Sequence, residues 1–284
     1  MSMRCSLAAD AAGDAREGTA PRALRWFLLE HRGPWGPGGL VDSRIHPALV
    51  HALQTWASDV GGRVLLIRRH GRRDAGPARR WFRIDARPGQ ESLVGGSIDR
   101  ERDLSPTAPG APESEPLFLV CAHGKHDTCC AVRGRPLAAA VAAAEPARTW
   151  ECSHVGGCRF APATVLMPHA FVLGGVPAPE AAAVTAGYRG GTVDPRWLRG
   201  RTALEPAVQA AQHHARAKTG ALGVDALAPV DVTGTGRYWR VRLTDPDCTV
   251  VLQEHSEPAG RPLTCAATQP GRQRRFELVE LVLG

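Results

Sequence analysis

The chain has 284 residues, of which 43% are hydrophobic, and it carries a formal net charge of +7. That length and apolar content exclude a minimal module and wholesale disorder, and fit two domains or one large one. No stretch approaches the ~20 apolar residues of a membrane span, residues 1–18 lack the apolar core of a signal peptide, and no aromatic-interleaved basic motif favours nucleic acid.

Residues 1–19 are small, charged and aperiodic and read as a flexible tail, with Cys5 an idle exposed thiol. An N-terminal α/β segment is expected over residues 20–100. Within it, Arg25–Glu30 reads as a strand and His31–Gly39 as a Gly/Pro-rich loop. Residues 46–59 read as a helix, with Leu49, Leu53 and Trp56 at helical spacing behind Pro47. Val64–Ile67 and Trp81–Asp85 read as short strands. The basic stretch Arg68–Arg80 reads as a solvated hairpin tip, with docking of an acidic redox partner as the functional alternative. The Pro-rich, charged run 101–116 reads as a linker.

Pro116–Val120 is a buried strand that delivers Cys121 at its carboxyl end, where open α/β sheets place ligands. Asp127 or Thr128 caps the following helix, which puts Cys129 and Cys130 in its first turn. Thr149–Cys152 reads as a strand, Ala163–His169 with Phe171–Val176 as a hairpin turning at Pro168, and Pro179–Tyr188 as a helix. Residues 191–284 read as a C-terminal extension: a helix over 203–218, a loop-rich stretch over 220–236, then strands at 238–243, 249–253, 262–267 and 275–283. Cys248 and Cys265, alone in that extension, read as buried small hydrophobes, and His213 and His214 as part of a polar helical face.

Five of the eight cysteines fall in two short boxes, Cys121-Ala-His-Gly-Lys-His-Asp-Thr-Cys129-Cys130 and Trp150-Glu-Cys152-Ser-His154-Val-Gly-Gly-Cys158-Arg-Phe160. A cytoplasmic chain with that usage points to metal or redox chemistry rather than to disulfides. Cys121 and Cys130 enclose eight residues, and His154 and Cys158 enclose three. Two such pairs on separate loops suit a binuclear iron–sulfur cluster, one pair per iron. The C-x2-C knuckles of zinc ribbons and the plant-type ferredoxin spacing are both absent. Cys129 and Cys152 are the nearest rival ligands. Gly156 and Gly157 let the loop approach a bulky group. Asp127 is placed to cap the helix and to orient a ligand. Arg159, beside an anionic centre, reads as a screening charge, a backbone brace or an ordinary surface charge, and His123 and His126 as loop hydrogen-bonders.

The boxes C-x-H-G-x-x-D-x-C-C and W-x-x-S-H-x-G-G-x-R-F-A-P resemble the sucrase/ferredoxin-like family. The resemblance spans about residues 20–190 and is tightest over 117–176. It implies an α/β fold with a thioredoxin-like, ferredoxin-type domain over 117–190 that carries a [2Fe–2S] cluster, flanked by the N-terminal segment and the β-rich extension. The family's C-x8-C pair falls on Cys121 and Cys130. Its H-x-G-G-H box falls on His154 and, as a departure, on Cys158, so the ligand set would be three thiolates and one imidazole. No paired acidic residues suit glycoside hydrolysis, so the word sucrase finds no counterpart here. The expected function is a cytoplasmic electron carrier that exchanges electrons with a reductase or oxygenase, without membrane attachment. Two other readings compete: a thiol redox enzyme with Cys129 or Cys130 as nucleophile and Cys152 or Cys158 as resolving thiol, and a zinc-stabilised binding module.

Overall fold

Leu117–Cys121 (β6) is buried at every position, the pattern of a strand covered on both faces. It lies inside a ten-stranded mixed sheet. The structure, a computed structural model, describes residues 3–72 and 78–284. Residues 73–77 of the basic stretch, where a hairpin tip and docking loop are expected, lie outside the described residues.

The sheet is built from two units of the same topology. In the first, Arg25–Glu30 (β1) leads through helix Pro47–Asp59 (α2) to Gly62–Arg68 (β2), parallel to β1. Arg79–Asp85 (β3) then pairs antiparallel with β1, and Ser92–Ile98 (β4) with β3. In the second, β6 leads through Thr128–Ala144 (α3) to Thr149–Cys152 (β7), parallel to β6. Ala163–Met167 (β8) pairs antiparallel with β6, and Phe171–Gly174 (β9) with β8, before helix Ala181–Arg189 (α4). The units join where β2 meets β7 antiparallel, with Ile67 opposite Cys152. Ala111–Pro112 (β5) and Leu198–Arg201 (β10) add one strand to each edge. The strand order β10-β9-β8-β6-β7-β2-β1-β3-β4-β5 therefore reads as the same unit from either edge, about a pseudo-two-fold between β2 and β7.

Alternation along the strands divides the core. Trp26, Leu28, Leu119 and Trp150 share one cluster that crosses both units. Phe27, Leu29 and Leu66 pack with Leu49, Leu53 and Trp56 of α2, while Phe118 and Val120 pack with Leu137 and Val141 of α3. The extension forms a separate antiparallel sheet of Ala228–Thr235 (β11), Tyr238–Thr244 (β12), Cys248–Pro258 (β13) and Arg272–Leu283 (β14). Helix Pro206–Thr219 (α5) packs Val208 and Ala211 against Val241, Val250 and Phe276 of that sheet. The chain is thus mixed α/β, with one large mixed sheet and one separate antiparallel sheet.

Several elements differ from the sequence reading. Residues 5–11, read as part of a flexible tail, form a helix (α1) whose Cys5 is buried, not an idle exposed thiol. The run 101–116, read as a linker, is bound to the sheet: β5 pairs with β4, Glu113 bridges Arg80 and Arg148, and Arg83 donates to the carbonyls of Pro106 and Ala108. Within the stretch read as loop, residues 228–235 are strand β11. Residues 262–267, read as a strand, are a loop in which Cys265 is exposed, while Cys248 is buried in the core under α5.

Candidate metal centre

The carboxyl end of β6 and the amino end of α3 form one wall of the site. Cys121 is the last residue of β6, opposite Cys152 of β7. Asp127 caps α3 by accepting the Cys129 N–H at 2.8 Å. That cap fixes the first turn so that the adjacent thiols of Cys129 and Cys130 enter different groups of donors. Gly134 lets the helix close on the strand, because a Cβ there would overlap the Cys121 carbonyl oxygen. Ala is ordinarily the better helix former by about 1 kcal/mol. Here Gly134→Ala is instead expected to destabilise the chain by ~1–3 kcal/mol, the cost of overpacking, and to displace Cys121. Thermal melts together with metal loading check both effects.

The second wall is the loop from β7 to a short 3-10 turn at Cys158–Phe160. Gly156 and Gly157 take φ of +115° and +73°, conformations in which a side chain is strained. Behind them Arg199, fully buried, donates to the Gly156 carbonyl at 2.8 Å and to the Thr19 hydroxyl at 3.1 Å. Burial, followed by the nearby Arg159 charge, lowers the Arg199 pKa to about 9. Arg159 itself forms an ion pair with Asp14 at 3.1 Å and lies over the Phe160 ring. Sequence reasoning missed Arg199, which lies beyond the expected 117–190 domain; an arginine between Leu198 and Gly200 in a short strand carries no local signal of its burial.

The walls bring Cys121, Cys130, His154 and Cys158 together. Cys121, Cys130 and His154 offer ligand atoms within 4.8 Å of one another, as do Asp127, Cys130 and Cys158. The Cys158 Sγ lies 3.7 Å from His154 Nδ1. His126 joins His154 and Cys158 in a third group, and its ring stacks on His154 with centroids 3.6 Å apart. Cys152 stands in none of these groups among the described residues, and Cys129 faces away from them, toward Cys5 and Cys265.

His123 ties the two walls to the first unit. One tautomer satisfies both of its contacts: Nε2–H donates to the Gly36 carbonyl at 2.8 Å, and Nδ1 accepts the His154 N–H at 3.2 Å. Trp35 packs edge-on against the His123 ring, and His126 Nδ1 lies 3.0 Å from the Pro37 carbonyl. The Gly/Pro-rich loop of the first unit thus lies over the donors of the second.

The thiols and His154 share protons unequally. The Cys130 thiol donates to Cys121 and to Cys158, which raises its own pKa. Those bonds, with help from His154, hold Cys121 well below the usual thiol range despite its burial and bring Cys158 down to about 6. Burial works to lower the His154 pKa, but hydrogen bonding to Cys121 and Cys158 raises it to about 9. Hydrogen bonding in the metal-free site thus favours the thiolate at Cys121 and Cys158 and the protonated form at Cys130 and His154. The Cys158 thiolate should persist above about pH 6 and be lost below it. A titration of thiolate absorbance at 240 nm on metal-free protein reads this, and His154→Ala should move the midpoint upward. Metal binding then displaces protons from Cys130 and His154, so loading strengthens as pH rises.

The model of the sucrase/ferredoxin-like family matches residues 18–200. The chain belongs to that family. The match takes in both cysteine boxes, both units of the large sheet and Arg199, and leaves out α1, α5 and the separate antiparallel sheet. No curated protein and no solved structure matches this member of the sucrase/ferredoxin-like family. The family and the donor groups together make a site that could hold a metal. No helix among the described residues is long and apolar enough to cross a membrane.

Proposed function

We propose that this protein is a cytoplasmic [2Fe–2S] electron carrier whose cluster is held by Cys121, Cys130, His154 and Cys158. The observation that carries the reading is the meeting of three thiols and one imidazole from two loops, with ligand atoms within 4.8 Å of one another in overlapping groups. Soft donors of this kind suit iron–sulfur and zinc, and the family name favours the former. Bound there, the cluster would supply one-electron transfer. The second unit supports the expected thioredoxin-like reading: a β-α-β parallel pair, then an antiparallel hairpin and a helix, in the order β7-β6-β8-β9.

The chain's own groups have distinct tasks in this reading. Cys121, Cys130 and Cys158 are buried and exclude water, whereas His154 and His126 are only half-buried and form the rim nearest solvent. A redox partner, a reductase or oxygenase, would approach over that rim, with the arginine-rich surface guiding an acidic partner. Anaerobic purification followed by iron and acid-labile sulfide analysis tests the reading. Two irons and two sulfides per chain with visible absorbance support it. A colourless protein with zinc on these four residues, or one free of metal with rapidly alkylated thiols, overturns it.

A further inference from the structure

We propose a second metal site, for zinc, made by Cys5, Cys129, Cys265 and Asp127. It goes beyond the electron-carrier reading and uses none of the four residues assigned to the cluster. Its donors come from three distant parts of the chain: α1, the amino end of α3, and the loop between β13 and β14. The Cys5 and Cys129 sulfurs are 3.7 Å apart, Cys129 and Cys265 are 3.3 Å apart, and Cys265 and Cys5 are 3.5 Å apart. The Asp127 carboxylate lies 3.8 Å from the Cys5 sulfur, and all four ligand atoms fall within 4.8 Å of one another.

Those spacings close a tetrahedron. With Zn–S bonds of about 2.3 Å, neighbouring sulfurs at the corners of a tetrahedral site stand about 3.8 Å apart. The observed edges, 3.3, 3.5 and 3.7 Å, all lie inside that value, so ligation would need the sulfurs to part by a few tenths of an ångström. Three mutually adjacent thiols have no covalent solution that uses all of them, because a disulfide consumes two. A soft cation satisfies all three, and the Asp127 oxygens complete a closed, structural coordination shell. Asp127 is held for this: Oδ1 accepts from the Cys129 N–H at 2.8 Å and Oδ2 from the Cys265 N–H at 2.7 Å, which leaves each oxygen a further lone pair.

The site also accounts for the placement of its surroundings. α1 has only seven residues and no side-chain cap, too short to be stable without a tertiary anchor. The loop over 259–271 contains no strand or helix. Metal ligation would fasten both to α3, with the buried Asp14 assisting through its ion pairs to Arg159 and Arg261. Because Cys129 and Cys130 are neighbours on α3, one helix end would serve two metals, each through one of the paired thiols.

The test is metal analysis of full-length protein equilibrated with zinc sulfate, alongside Cys5→Ser, Cys265→Ser and Cys121→Ala. The expected result is one zinc per chain in the parent and in Cys121→Ala, and its loss in Cys5→Ser and Cys265→Ser. The visible absorbance or 240 nm thiolate signal of the first site should persist in those two, which shows that they fold. Cobalt substitution should give tetrahedral thiolate bands in the parent that Cys265→Ser lacks. No zinc in the parent, zinc retained in both serine variants, or zinc lost only in Cys121→Ala overturns the proposal. The last outcome would count against the iron–sulfur reading as well, whereas the first two leave it standing.

Discussion

Cys121→Ala is expected to yield a folded but colourless protein, with iron content down by more than roughly tenfold, the loss that even an outer partner of a metal ligand causes. Cys121 ends a fully buried strand in the middle of the sheet, so the backbone has no slack to offer a neighbouring donor in its place. Cys130→Ala should behave alike, since its thiol joins Cys121 and Cys158 into one network. The two nearest rivals should separate cleanly. Cys152→Ser should keep the colour, because that side chain packs in the core beside Cys121 and joins no donor group among the described residues. Cys129→Ser should also keep the colour while losing zinc. Visible absorbance and iron analysis of these four variants and of Cys158→Ser decide the matter; loss of colour in Cys152→Ser with retention in Cys158→Ser would move the second ligand pair to Cys152 and His154.

The other large effect is expected on the reduction potential. Three thiolates and one neutral imidazole leave an oxidised [2Fe–2S] cluster with one formal negative charge, between the two of a four-thiolate site and the zero of a site with two histidines. Adding an electron to a more negative centre is harder, so the potential should lie above the roughly −400 mV of plant-type ferredoxins and toward the Rieske range. Cys158→His should raise it and His154→Cys should lower it. His154 is half-buried and stacked on His126, so one ring edge stays near solvent. Loss of a proton from that edge adds negative charge, and the potential should fall as pH rises. His154→Cys should abolish the slope. Potentiometric titration of the three proteins at several pH values tests the assignment; equal potentials, or a slope that survives without His154, would remove this histidine from the cluster.

The residues of the second unit were legible because local chemistry and tertiary placement agree there. Leu117–Cys121 is apolar throughout, Asp127 is a good cap, and Gly156-Gly157 sits where the backbone turns left-handed. Elsewhere the local signal pointed away from the structure. Ser92–Ile98, assigned to no element from the sequence, is strand β4: Gly95 and Gly96 are bare so that the rings of Phe82 and Trp81 can lie on them. The run 101–116 has the charge and proline of a connector, but Glu101 pairs with Arg79, Glu113 with Arg80 and Arg148, and Glu115 with Arg189. Cys5 and Cys265 looked solitary because 260 residues separate them, and spacing rules see only donors that are near in sequence.

The doubling of the sheet has a consequence for how many centres one chain can hold. Ile67 and Cys152 face each other at the β2–β7 junction and occupy the same place in their respective units. Counting from that pair, Glu30 stands in the first unit where Cys121 stands in the second, since Glu30 is opposite Ile67 and Cys121 is opposite Cys152. Glu30 is buried, ion-paired to Arg32 at 2.9 Å and accepting the Arg80 N–H at 2.8 Å. A carboxylate held by Arg32 thus stands in the first unit where the second carries a thiol, so the first unit offers no matching soft donor there. What it contributes instead is the Trp35–Gly39 loop, seated on His123 and His126 of its twin. In a symmetric pair each copy would have to serve as both holder and cover; joined in one chain, the two tasks fall to different halves, and His123 links them by bonding to the Gly36 carbonyl on one side and the His154 N–H on the other.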